Sequence, residues 1–281
     1  MLQKKPRVHK MIDEHPYIGG LQSGCLFLMA SWIIEEIIDA PIRMLFPDYS
    51  VPGPMGAIVA LVICNLIFIR WYKPETEGLL KGGDLVSLPR FLIPMIIYWI
   101  VSVMAEVILN DTKLAFPDFA KLSLALSAAA TEELAFRGAM IAPMMRNQPN
   151  RNRILMVLVV SSVVFGLMHG TNIIAGRNVS AVLMQVVAAI ASGCFLGTVF
   201  LSTGNLWPAI MIHFIHDVIV FSNTGPTEGN DVIKYEITRS SWIALILIVL
   251  LAVYAFFEVR HDSSIDRILG IWREKWEIEA A

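Results

Sequence analysis

The stretch AAATEELAFRGAM, residues 128–140, sets Glu132, Glu133 and Arg137 in a run that is otherwise small or apolar. Glu133 and Arg137 are four apart with the acid on the N-terminal side, the favourable order for a helical ion pair. Glu132 sits about 100° round the same helix. The doublet can therefore divide its labour: Glu133 pairs with Arg137 while Glu132 points along another face. Two further elements carry similar groups. FGLMH puts Phe165 and His169 at i,i+4, and HFIHD puts His213 and Asp217 at i,i+4 with His216 on a different part of the arc. Ionisable side chains at membrane depth are costly and mark function by default.

One carboxylate, two histidines and a further polar group suit hydrolysis. A carboxylate in low dielectric is a stronger base than in water, and general-base assistance is worth roughly 10²–10⁴-fold. Glu132 would take a proton from a water that His169 orients, and His213 with residue 217 would face the oxyanion of a tetrahedral intermediate. Ser127 and Ser162 lie in no nucleophile-elbow pattern, so a serine mechanism is disfavoured. Two other classes stay open. A metal enzyme would use Glu132, His169, His213 and His216, without an HExxH motif to support it. A transporter with an intramembrane proton relay would use the same acids and histidines, without the internal repeat many transporters show.

These groups must be positioned by elements that live in lipid. The chain has 281 residues, of which 56% are hydrophobic and 16% charged, against roughly 45–50% and about 25% in soluble proteins. The composition points to an all-α, polytopic membrane bundle, since spans in lipid must satisfy their own backbone hydrogen bonds. A span needs about 20 apolar residues, and eight are expected near 21–46, 55–72, 88–110, 119–146, 153–170, 179–201, 205–222 and 241–258. Residues 1–20 read as a basic cytoplasmic segment, 21–258 as one membrane domain with its motif core at 119–222, and 259–281 as a charged amphipathic tail lying on the membrane surface or in solvent. No removable signal peptide is expected after the basic start MLQKKPRVHK.

Of the 22 Lys and Arg, only Arg43, Lys113, Lys121, Arg177, Lys234 and Arg239 fall outside when the N-terminus is placed inside, and Arg137 lies within a span. That bias predicts a multi-pass protein of the cell membrane with both termini cytoplasmic. The net charge of −2 gives nucleic-acid binding no support. Cys25, Cys64 and Cys194 read as small buried hydrophobes. Glu35, Glu36 and Asp39 lack an i,i+4 cation for the pair EE and read as structural or interfacial. The 223–240 join is the longest non-cytoplasmic one and could cover or gate a site.

EELAFR (132–137), FGLMH (165–169) and HFIHD (213–217) together resemble the three motifs EExxxR, FxxxH and HxxxN or HxxxD of the CPBP family. These are the CAAX prenyl endopeptidases of the second type with their bacteriocin-processing and immunity-linked relatives, also called the Abi family. The resemblance covers 119–222 in the right order. It implies an eight-helix intramembrane glutamic protease acting without a metal or other cofactor on a membrane-associated protein or peptide. Glu132 and His169 would activate the water, His213 and Asp217 would line the oxyanion site, and Glu133 and Arg137 would support them. Some relatives are non-catalytic binding or immunity proteins. One departure stands out: prenyl proteases carry Asn at the last position, whereas Asp217 donates a hydrogen bond only when protonated and could instead orient His213.

Overall fold

The structure is a computed structural model, and it describes residues 14–45, 59, 62, 77–80, 83–146, 150–222 and 237–276. The described residues are helical with short joins and contain no strand. Helix α1 spans Pro16–Leu45, α2 Leu88–Asn110 and α3 Phe119–Glu133. The α3 rod continues through a π-helical segment, Leu134–Ile141, into one more α-turn at Ala142–Met144. Then follow α4 Arg151–His169, α5 Val179–Thr203, α6 Leu206–Ser222, α7 Arg239–Arg260 and α8 Asp262–Lys275. Among the described residues, four helical stretches are long and apolar enough to cross a membrane: Leu85–Asn110, Arg151–Ile174, Val179–Thr203 and Arg239–Arg260. The span expected at 55–72 and the bulk of the 223–240 join lie outside the described residues, apart from helical residues 59 and 62.

Local chemistry sets where the rods begin and end. Asp118, Asn150 and Asn178 each accept a backbone N–H of the first turn of α3, α4 and α5, and Thr238 with Ser241 forms a capping box at α7. Such caps satisfy donors that the helix itself leaves open. Helix α5 ends at Gly204, whose φ of +63° is a left-handed conformation that suits glycine.

Helix α5 is the axis of the bundle. Its last nine residues, 195–203, are all buried, and it supplies side chains to both apolar clusters. One cluster joins the π-helical segment, α4, the end of α5 and α8. The other joins α2, α5, α6 and α7. Helix α1 lies against the π-helical segment through Gly20 and Gly24, beside Met140. On α1, Asp39 is buried, Glu35 half-buried and Glu36 exposed.

Two expectations change. Cys25 is exposed on α1 rather than buried, Cys194 is half-buried against the first apolar cluster, and Cys64 lies outside the described residues. The tail also differs. Residues 262–275 form an amphipathic helix as expected, but its apolar stripe, Ile265, Ile268 and Trp272, is buried in the protein core. The Trp272 indole N–H donates to the Leu201 carbonyl at 3.0 Å, and a side chain at Gly204 would collide with Ile271 and Lys275. The stripe packs on the end of α5, so it is not offered to lipid or to solvent.

Candidate active site

The doublet divides as the spacing implies. Glu133, the last residue of the α-helical part of α3, is 0% exposed, and Arg137, inside the π-helical segment, is 1% exposed. Arg137 Nη1 stands 2.9 Å from Glu133 Oε1. Its Nη2 donates to the Gly193 carbonyl of α5 at 3.1 Å, and its guanidinium carbon lies 4.9 Å from the centroid of the Phe165 ring of α4. One buried cation thus ties three helices together. The π-helical turn is defined by the Ala142 N–H bonding Arg137 O five residues back, a widening found mostly at functional sites. Nothing in the spacing of EELAFRGAM announced it.

His213 arrives from α6. Its Nδ1 is 2.9 Å from the same Glu133 Oε1. A carboxylate paired with arginine only accepts, so Nδ1 carries the proton. The other ring nitrogen, Nε2, faces two carboxylates, Asp217 Oδ2 at 3.7 Å and Glu132 Oε2 at 3.8 Å. Those two side chains are 20% and 19% exposed, against 10% for His213. Glu132 and Asp217 therefore form an open lip over a sealed Glu133–Arg137 base. The sequence paired His213 with Asp217 alone; the shorter contact to Glu133 depends on how α6 packs on α3, which no spacing within one motif reports.

His169 closes α4, its ring 5.1 Å from that of Phe165 in an edge arrangement. Phe165 also meets the His213 ring at 6.1 Å and the Phe136 ring at 5.0 Å. The aromatic side chain of FGLMH is thus the plate on which both histidines rest. His169 Nδ1 is 3.0 Å from the Phe165 carbonyl. A carbonyl oxygen cannot donate, so Nδ1 donates and a neutral ring keeps Nε2 as its acceptor. His216 does not join the cluster; its ring turns to Tyr98 of α2, 5.8 Å away. Among the described residues, no three His, Cys, Asp or Glu side chains form a group that could hold a metal ion.

The class that fold and site define is a helical bundle with membrane-length apolar spans and a polar cluster where α3 passes into its π-helical continuation, opposite the middle of α6. Residues 115–219 match the family model described as Type II CAAX prenyl endopeptidase Rce1-like. At the level of that family, the match supports an intramembrane endopeptidase of the CAAX protease type. No curated protein and no solved structure matches the chain.

Proposed function

We propose that this chain is an intramembrane glutamic endopeptidase that cuts a membrane-associated protein or peptide. The observation that carries the reading is the split of the doublet: Glu133 is sealed against Arg137 and His213, while Glu132 stands partly exposed near His213 Nε2. Glu132 takes a proton from a water oriented by His169 Nε2. The water oxygen attacks the peptide carbonyl carbon, and the resulting oxyanion faces His213, with Asp217 donating to it only in its protonated form. Glu132 then returns its proton to the departing nitrogen as the C–N bond breaks. Because His213 Nδ1 already donates to Glu133, its Nε2 can donate to the oxyanion only as an imidazolium.

Substitution of Glu132 by Gln in the purified protein tests the role of the base. Cleavage is expected to fall at least about 10²-fold, with the melting temperature held within a few degrees. Unchanged cleavage would reject Glu132. We further propose a multi-pass cell-membrane protein with its Arg-rich end in the cytoplasm. Arg90, Arg146, Arg151, Arg260 and Arg267 gather where α2 and α4 begin and α7 ends. Three of them are held there by Arg90–Glu258, Arg151–Asp262 and Arg267–Asp84 pairs, and such clusters face the cytoplasm. An impermeant thiol reagent is expected to label Ser263→Cys only from the cytoplasmic side and Thr171→Cys only from the other. The reverse pattern would invert the assignment.

A further inference from the structure

His169 is the last residue of α4. Helix ends are where rods fray, because their last carbonyls have no partner within the helix. The hydrogen bond of His169 Nδ1 and the edge contact of its ring are both made to Phe165, one turn back on the same helix. Neither contact fixes the ring against a second helix. The place of Nε2 relative to Glu132 is therefore set by how the end of α4 sits on its neighbours, and the neighbour in question is α5. Three residues before His169, α4 meets α5 with no side chain between them. A Cβ on Gly166 would collide with Ile190 Cγ1 and lie 2.8 Å from the Val186 carbonyl.

Three residues after His169 comes a second tie. The chain runs on into one more helical turn, Thr171–Ile174, so Asn172 and His169 are surface neighbours at i,i+3. Asn172 Nδ2 donates to Gln185 Oε1 of α5 at 3.0 Å, in a partly buried setting. The Asn172 carbonyl accepts the Arg177 N–H at 3.0 Å. Asn172 thus fastens the end of α4 to α5 by its side chain and to the join before α5 by its main chain. The Gly166 approach and the amide bond bracket His169, one on each side along the rod. An apolar pair would fill the same interface, but apolar contact has no direction, whereas a hydrogen bond fixes both distance and angle. We propose that Asn172 and Gln185 are positioning residues for the hydrolytic step: their amide bond sets the register of the end of α4 on α5 and so holds His169 Nε2 where it orients the attacking water. The proposal rests on the endopeptidase reading and adds to it the device that keeps a helix-end histidine in place.

The test uses the full chain in lipid nanodiscs with Asn172→Ala, Gln185→Ala and the swapped pair Asn172→Gln with Gln185→Asn, which keeps the summed length of the two side chains. Each alanine variant is expected to lower kcat about tenfold or more while KM changes less than about twofold. The melting temperature stays within a few degrees, since interhelical hydrogen bonds in lipid add little to stability. The swapped pair recovers most of kcat. A second readout needs no cleavage: nitrogen NMR of isotope-labelled histidine, with the His169 signal assigned by its loss in His169→Asn. The unaltered protein shows the single tautomer protonated at Nδ1. The alanine variants average between two tautomers, because a frayed helix end releases Nδ1 from the Phe165 carbonyl. Alanine variants that keep both kcat and the single tautomer would overturn the proposal. A kcat that falls only in step with the melting temperature, with the tautomer unmoved, would reduce the pair to a plain helix tie and overturn it as well. If the unaltered protein cleaves no peptide, the endopeptidase reading fails, and the tautomer signal still decides whether the pair holds His169.

Discussion

At the scale of single residues, adjacent glutamates sit in different surroundings, Glu133 sealed and Glu132 partly exposed. Glu133 is fully enclosed with a cation 2.9 Å away, so its loss strands Arg137 in a low-dielectric interior. Removing one partner of a buried pair costs about 3–5 kcal/mol. Glu133→Ala is therefore expected to lower the melting temperature sharply and to lose cleavage as a consequence. Glu132→Gln is expected to lose cleavage with the fold intact. Thermal melts of the two variants side by side check this, and equal destabilisation would contradict the division of roles. The Glu133–Arg137 pairing was legible in the sequence, since i,i+4 spacing determines which acid faces Arg137. The Glu133–His213 contact was not legible, because it joins residues 80 positions apart through packing that local periodicity does not encode.

At the scale of elements, apolar runs reported rods well and their internal geometry poorly. The expected spans at 88–110, 153–170, 179–201, 205–222 and 241–258 coincide with α2, α4, α5, α6 and α7 to within a few residues. Length and hydropathy decide such boundaries. The π-helical stretch after Glu133 was invisible because the same small and apolar residues suit an α-helix. Its role follows from what Arg137 must reach, the Gly193 carbonyl on α5. Gly193 has a second task. A Cβ there would sit 3.1 Å from Phe165 Cδ1 and 3.2 Å from Ser162 Cα, so α4 and α5 approach as closely as they do because the position lacks one. Since Phe165 carries both histidine rings, Gly193→Ala is expected to disturb the site as well as the packing. Overpacking of this kind costs about 1–3 kcal/mol. The informative readout is a fall in kcat larger than any rise in KM, measured where the variant is still folded. An unchanged kcat would show that the Phe165 plate tolerates the shift.

At the scale of the whole molecule, the chain closes on itself at its Arg-rich end. Helix α8 follows the last apolar span and carries Asp262, Asp266, Arg267, Arg273, Glu274 and Lys275, so it meets water. Its apolar stripe looked from sequence like a surface for lipid, since periodicity reveals that a face is apolar but not what covers it. Here the cover is the end of α5. Trp272 is fully buried, edge-on to Phe200 at 5.3 Å, with its N–H on Leu201 O. Helices packing inside lipid gain little from the hydrophobic effect, because the tails are as apolar as the partner. A helix beyond the spans is different, since its indole leaves water when it docks. The aqueous magnitude for Trp→Ala, about 3–5 kcal/mol, therefore applies to Trp272→Ala. A drop in melting temperature of similar size in detergent and in nanodiscs is expected, because the contact is protein on protein. If α8 instead used Trp272 to hold the membrane, the variant would melt normally in detergent. Only its lipid dependence would then change.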